Sequence, residues 1–413
     1  MKTATHTLLL VDDEPHVLAS LRRSLRKEGW QLLLAGSGQE GLALLAANRV
    51  DLVVSDMRMP QMDGAAFLKQ VRCQYPQVTR LVLTGYAERE AVKRAFEEAG
   101  IHEMIAKPWD DEELRTILRS FLQQQERQES EAQGLHRLIG HLGPLPVLPQ
   151  VYFEVRNLLV SEEGASVEAI ARVVLREPAI AAKLMQVANT SFFGQRRQVE
   201  SVERAITVLG LALVHGLVLA HSVFQVLEVR HVEGFSHEAL WRHSLACGLL
   251  ARQIAQRLSW STQEQEVATL AGLLHDLGKL VLANAVPLRY ARVIRRVRQG
   301  KRSLAAAERE LLGVTHATMG GHLAEWWNLP LPLAEAIRWH CRPSAIRHPG
   351  PLACLTHLAD VLVHRLGIPD LPCALPAAPS AGLLAALGME TAELDTLTAE
   401  LKQRGISTEF SAC

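Results

Sequence analysis

Two groups of residues in this 413-residue chain have the types and spacing for chemistry. Asp12 and Asp13 directly follow the apolar run Leu8–Val11, and Asp56 follows Leu52–Ser55. Thr84 follows Arg80–Leu83, and Lys107 follows Met104–Ala106 and precedes Pro108. If those runs are parallel strands, all five side chains gather at the carboxyl edge of one sheet. Three converging carboxylates repel unless a cation joins them, and a hard, oxygen-seeking ion such as Mg²⁺ suits the set. A carboxylate, a divalent ion, a hydroxyl and an ammonium together suit phosphoryl transfer onto a carboxylate.

The second group lies in a histidine-rich half. Its sharpest feature is Leu274-His275-Asp276-Leu277-Gly278-Lys279, accompanied by His243, His316, His340 and Asp360. Imidazoles with carboxylates suit Fe, Mn, Zn or Ni, and the pattern does not choose among them. A histidine on an apolar helix is ordinarily a packed core residue. That reading is taken for His215 and His221, while packing or surface positions are taken for His231, His237, His322, His348, His357 and His364.

Each group needs a scaffold. Apolar runs Leu8–Val11, Gln31–Ala35, Leu52–Ser55, Arg80–Leu83 and Met104–Ala106 alternate with amphipathic stretches Pro15–Glu28, Gly38–Asn48, Gly64–Tyr75, Glu88–Ala99 and Asp111–Gln124. Five such units predict an α/β, doubly wound, five-stranded parallel sheet covered on both faces. The polar run Gln123–Gln133 predicts an exposed helical extension or linker. Three prolines between Gly143 and Pro149 then stop any helix. Beyond Gln150 the pattern is helical. Expected helices are Ser166–Leu175, Ala179–Ala188, Val202–Val229, Glu238–Leu258, Gln263–Val281, Pro287–Gln299, Leu304–Leu312, His316–Trp327, Leu331–Trp339 and Pro351–Leu366. A proline- and alanine-rich loop, Pro372–Pro379, precedes a last helix near Glu390–Arg404. The expected division is a first domain over 1–122, a linker over 123–142, an all-α domain over 143–370 and an extension over 371–413.

The motifs Leu10-Val11-Asp12-Asp13-Glu14-Pro15, Ser55-Asp56-Met57-Arg58-Met59-Pro60-Gln61-Met62-Asp63-Gly64, Leu83-Thr84-Gly85-Tyr86 and Ala106-Lys107-Pro108-Trp109 resemble the receiver domain of bacterial response regulators, a flavodoxin-like fold. The resemblance implies that Asp56 is phosphorylated by a sensor histidine kinase. It implies that Asp12, Asp13, Asp56 and the backbone carbonyl of Arg58 hold Mg²⁺, and that Thr84 and Lys107 contact the phosphoryl oxygens. Receivers usually carry Tyr or Phe three residues before the lysine as a rotating switch. Here that position is Met104, with Tyr86 as a substitute.

The order His243, His275-Asp276, His316, His340, Asp360 resembles the HD superfamily of metal-dependent phosphohydrolases and its HD-GYP-type cyclic di-GMP phosphodiesterases. These six would be the metal ligands, for Fe or Mn, and Lys279 would contact a phosphate. Three upstream segments point to another branch. Gly143–Gln150, Arg176–Gly194 and Val202–Gly210 are similar to HDOD domains, HD-related output modules mostly regarded as signalling without catalysis. No Gly-Tyr-Pro motif follows His340, and Cys341 stands where HD-GYP enzymes have a second histidine. Three outcomes stay open: a hydrogen-bonded core, a bound metal without turnover, or a working phosphodiesterase gated by phosphorylation.

Composition narrows the rest. Lys plus Arg equal Asp plus Glu at 44 each, so no global charge attracts nucleic acid or an anionic membrane. Neither a helix-turn-helix nor a phosphate-binding glycine loop is read, and Arg289, Arg292, Arg295, Arg296, Arg298, Lys301 and Arg302 are taken as a solvated face. The six cysteines form no CxxC pair, which suits a reducing compartment. Ile206–Leu227 is long enough for a bilayer but carries His215 and His221, so a buried core helix is expected. The expected protein is cytoplasmic and makes no DNA or membrane contact. Its partners are a sensor kinase and an unidentified protein recognised by the helical domain, with homodimerisation left open.

Overall fold

The computed structural model describes residues 6–85, 100–139, 149–160, 166–190, 193, 195, 197–227, 231–300, 302–343, 350–371 and 378–403. The chain forms two compact units, Met1–Glu129 and Ser130–Cys413.

In the first unit, strands β1 (Thr7–Val11), β2 (Gln31–Ala35), β3 (Leu52–Asp56), β4 (Thr79–Thr84) and β5 (Glu103–Ala106) form a sheet in the order β2-β1-β3-β4-β5. Every pairing is parallel, with Leu8 opposite both Leu32 and Leu52, and Thr84 opposite Ala106. The strands are buried because both faces carry apolar side chains. Leu9, Val11 and Val53 pack on one side with Phe67 and Val71, while Leu8, Leu10 and Leu52 pack on the other with Leu21 and Leu118. The flanking helices are Pro15–Leu25, Gly38–Ala47, Gly64–Gln74 and the start of Asp111–Ile139. Ser37 and Asp63 cap two of them by accepting the amides of Glu40 and Ala66. The expected helix over 88–99 lies outside the described residues.

The helix begun at Asp111 runs through the expected linker to Ile139. In the second unit every regular element described is a helix. Two expected single helices are each two. Val202–Val229 breaks into Val202–Leu209 and Leu211–Val226, because Gly210 at φ +81° takes a conformation that a helix cannot continue, and the pieces bend by 112°. Gln263–Val281 breaks into Thr262–Leu274 and Leu277–Ala285 at His275 and Asp276. Gln150–Val160 and Ala381–Ala386 were not anticipated. Among the described residues no single helix is long and apolar enough to cross a membrane. The apolar stripe Leu213–Val223 instead lies in the common core with Leu240, Leu273 and Ile254.

Candidate functional site

The sheet edge collects the first group. Asp12 directly follows β1 and is fully buried, while its neighbour Asp13 is exposed. Asp56 ends β3 and Thr84 ends β4, both buried, and Lys107 follows β5. The Lys107 ammonium donates to Asp56 Oδ1 at 2.5 Å and Asp12 Oδ2 at 2.8 Å. Backbone amides take the remaining oxygens: Glu14 donates to Asp12 Oδ1 and Arg58 to Asp56 Oδ2, each at 2.9 Å. Burial raises the Asp12 pKa in spite of the Lys107 and Glu14 hydrogen bonds. Burial would lower that of Lys107, but its bonds to Asp12 and Asp56 outweigh this and raise it. The Thr84 hydroxyl donates to the Gly85 carbonyl at 3.2 Å. Gly64 lets the loop after Asp56 close, since a Cβ there would lie 2.0 Å from the Asp56 carbonyl oxygen. Met104 is half-buried against the core beside Val82 and Ile101. Tyr86 lies outside the described residues.

In the second unit all six candidate ligands converge. His275 ends Thr262–Leu274, and Asp276 stands at the start of Leu277–Ala285. His243 comes from His237–Arg257 and Asp360 from Pro351–Arg365. His316 opens His316–Trp326 behind the capping Thr315, and His340 closes Leu331–Trp339. The helices can approach because Gly278 has no side chain: a Cβ there would lie 1.9 Å from the His316 carbonyl oxygen.

Each ring is held by its outer nitrogen. Nδ1 of His243, His275 and His340 meets the carbonyls of Ile368, Gly272 and Ile337 at 2.9, 2.7 and 2.7 Å. Nδ1 of His316 meets Glu308 Oε2 at 2.6 Å. Carbonyl and carboxylate oxygens only accept, so each Nδ1 carries a proton and each Nε2 turns inward. Burial opposes charge on His316 and His340, yet Cys341 with Glu308 beside the first and with Asp276 beside the second outweigh it, holding His316 well above its ordinary value and bringing His340 to about 10. Asp276 stands between these nitrogens. Its Oδ2 is 3.2 Å from His275 Nε2 and 3.7 Å from His243 Nε2, and its Oδ1 is 3.5 Å from His316 Nε2 and 3.6 Å from His340 Nε2. Asp360 Oδ1 lies 3.2 Å from His243 Nε2. His275 Nε2 and Asp276 Oδ1 are buried without a well-aligned hydrogen-bond partner among the described residues.

The sequence reading missed four members. Cys247 Sγ is 3.5 Å from His243 Nε2, Glu308 orients His316, and His364 reaches Asp360 Oδ1 at 2.9 Å and Asp370 Oδ1 at 3.3 Å. Asp370 also receives Lys279, whose ammonium donates at 2.6 Å to both Asp276 Oδ2 and Asp370 Oδ2. Spacing could have found His364, one helical turn beyond Asp360. Cys341, noted as a departure, places Sγ 3.1 Å from His316 Nε2 and 3.2 Å from His340 Nε2. Burial pushes its thiol up, but those two rings outweigh burial and bring it to about 5. Burial likewise opposes charge on Asp276 and Asp360, yet nearby cationic and imidazole groups hold both carboxyls well below their usual range. His215 and His221 stay outside the cluster in Leu211–Val226, as packing residues.

Comparison with known proteins follows the same division. Residues 8–119 match the response regulator receiver domain, and residues 145–343 match the HDOD domain. The chain is 31% identical over 115 residues to the sporulation initiation phosphotransferase F of Bacillus subtilis, covering 28% of this chain and 92% of that protein. It is 39% identical over 136 residues to the hydrogenase transcriptional regulatory protein HoxA of Cupriavidus necator, covering 32% of this chain and 26% of that one. The chain thus spans about a quarter of the length of that regulator. Among solved structures, an HDOD domain protein with unknown function from Geobacter sulfurreducens aligns over 69% of this chain and 97% of its own. The TM-score is 0.58 at 21% identity, a likeness of fold.

Proposed function

Because the chain belongs to the response regulator receiver family and carries an HDOD domain behind its receiver, we propose that it is a phosphorylation-dependent regulator whose helical domain signals by protein contact. The observation that carries this reading is the Lys107 ammonium held between Asp56 and Asp12 at the sheet edge.

Asp56 is the phosphoacceptor. Its carboxylate oxygen attacks phosphorus in a phosphohistidine of a sensor kinase; the new P–O bond forms as the P–N bond breaks, and the imidazole leaves. Lys107 turns its ammonium to an oxygen of the transferred group, and the Thr84 hydroxyl takes another. The residues fit Mg²⁺: Asp12 and Asp56 are hard oxygen donors sharing a single ammonium, which leaves net negative charge to be met, and Asp13 follows Asp12 directly in the chain. With the Arg58 carbonyl they would hold the ion, which when bound supplies charge neutralisation at the phosphoryl oxygens.

Output runs through the helix Asp111–Ile139, whose last turns belong to the second unit. There Glu131 accepts from Arg309 Nε at 2.5 Å and from the Thr318 hydroxyl at 2.7 Å. A shift of this helix reaches the residues beside Glu308 and His316.

A hydrolase reading draws on the convergence of six ligand-type residues. Weighing against it, His243, His275, Asp276, His316 and His340 are each at most 2% exposed, too enclosed for water to attack a cyclic dinucleotide. The deciding experiment treats the full chain with a small phosphodonor and Mg²⁺. Wild type takes label and Asp56→Ala takes none, while cyclic di-GMP stays intact with either protein. Equal labelling of the variant, or phosphodonor-dependent hydrolysis, would sink the respective part.

A further inference from the structure

We propose that a cleft lined by Trp260 and Trp339 in the helical unit binds a small alkylated ammonium compound, an organic cation whose charge lies under methyl or methylene groups.

The cleft has a volume of about 500 Å³, within the range of small-molecule sites. Val267 and Leu352 line it with the two tryptophans, and Glu264 and Glu335 bring negative charge. None of the described lining residues is a lysine, arginine or histidine. Trp260, Trp339 and Leu352 are half-buried and packed against the core, so the apolar wall is part of the fold.

The wall and one acid are set before any ligand arrives. Ser259, at φ +56°, turns the chain away from the helix His237–Arg257. The Trp260 amide then donates to the Ala255 carbonyl at 3.0 Å, and its carbonyl accepts from Gln265 Nε2 at 2.8 Å. Glu264 Oε2 accepts from the Ser261 amide and hydroxyl, each at 2.7 Å. Those bonds hold its carboxyl below the usual range, so it is ionised at neutral pH. Glu335, exposed on Leu331–Trp339, has no hydrogen bond or ion pair among the described residues.

Charge and lining together select the occupant. Two carboxylates without a cationic side chain repel an anion. The helix starts nearby offer an anion little: the Ser261 and Glu264 amides are used in the capping box, Pro351 has no N–H, and the Ala353 and Cys354 amides donate to the Gly350 carbonyl. A bare Mg²⁺ or Ca²⁺ wants about six oxygen ligands, which a tryptophan-lined wall does not supply. An alkylated ammonium suits both features, because indole faces attract its charge and its alkyl groups cover apolar surface. The occupant would rest on three helices of the buried cluster. Thr262–Leu274 begins at the cleft and ends beside His275, Trp339 precedes His340, and Pro351–Arg365 begins at the cleft and carries Asp360.

The test is calorimetric titration of the full chain with choline and with the bulkier benzyltrimethylammonium. 3,3-Dimethyl-1-butanol, the uncharged isostere of choline, is the control. The expected result is saturable binding of at least one cation, with the isostere weaker than choline by roughly tenfold or more. Trp260→Leu weakens cation binding by about 3–30-fold. Glu335→Gln, at an exposed and unpaired position, also weakens it without disturbing the fold. Glu168→Gln, an exposed acid on Val167–Val174, binds as wild type does. So does Asp56→Ala, which separates this test from that of the phosphoacceptor. Circular dichroism checks that each variant is folded. The proposal is overturned if neither cation gives saturable heat, or if the isostere binds as tightly as choline. It is equally overturned if folded Trp260→Leu and Glu335→Gln both keep wild-type affinity. Binding of a trimethyllysine peptide in place of the small cations would make the cleft a protein-docking surface and would also overturn it.

Discussion

Gly134 and Gly313 meet backbone to backbone: a Cβ on Gly134 would lie 2.0 Å from the Gly313 carbonyl oxygen. Gly134 lies near the end of the helix Asp111–Ile139, and Gly313 closes Leu304–Leu312 at φ +77°. One turn earlier on the long helix, Glu131 bonds Arg309 and Thr318. The end of the long helix is thereby clasped to the segment that sets Glu308 and His316.

Gly134→Leu should pry this clasp open. The clash is with backbone, which cannot step aside like a flexible side chain. The expected cost is that of overpacking, about 1–3 kcal/mol, seen as a lower denaturant midpoint of the second unit. Glu131→Gln, which keeps the shape but loses the charge, should cost less. An unchanged midpoint in Gly134→Leu would mean that the two glycines do not cross so closely.

The receiver was legible because its chemistry follows chain order: each functional residue comes directly after an apolar strand, and a parallel sheet aligns those ends. His243, His275, Asp276, His316, His340 and Asp360 were legible as types but not as a cluster, since helices give no register between distant residues. Glu308 and Asp370 were not legible. Glu308 sits in the short amphipathic helix Leu304–Leu312, where an acid reads as a solvated face, yet it is fully buried under His316 and Tyr290. Asp370 lies past Gly367 in a segment without helical periodicity, and only the folded chain brings it to Lys279 and His364. The breaks at Gly210 and at His275-Asp276 were hidden because apolar residues continue through them.

Lys107→Met should expose the repulsion that Lys107 now screens. Without the ammonium, the Asp12 and Asp56 carboxylates, both buried, face each other at the sheet edge. Breaking a buried pair costs about 3–5 kcal/mol, and partial exposure of Lys107 reduces this to roughly 1–3 kcal/mol. Urea denaturation in the absence of divalent ions measures it. Asp56→Asn in the same chain should recover part of the loss, so the two changes are non-additive. Strict additivity would show that the three groups do not act together.

His215 makes the stability of the second unit acid-sensitive. Its ring stacks on Tyr152 with centroids 4.9 Å apart, and its Nε2 is buried without a partner among the described residues. Burial, with a smaller contribution from Arg156, lowers its pKa from 6.5 to about 4. The unfolded chain therefore binds a proton between pH 6.5 and about 4 that the folded chain refuses. Stability is fully present above pH 6.5 and is lost as pH falls toward 4, reaching a loss of about 2 kcal/mol at pH 5 from this residue. His221, also lowered by burial, acts in the same direction. His215→Phe keeps the stacked ring and removes the titration. Urea midpoints of wild type and variant should converge near pH 7 and separate at pH 5, with the variant the more stable. Parallel pH profiles for the two proteins would show that His215 is solvated, or that it finds a proton acceptor in the folded chain.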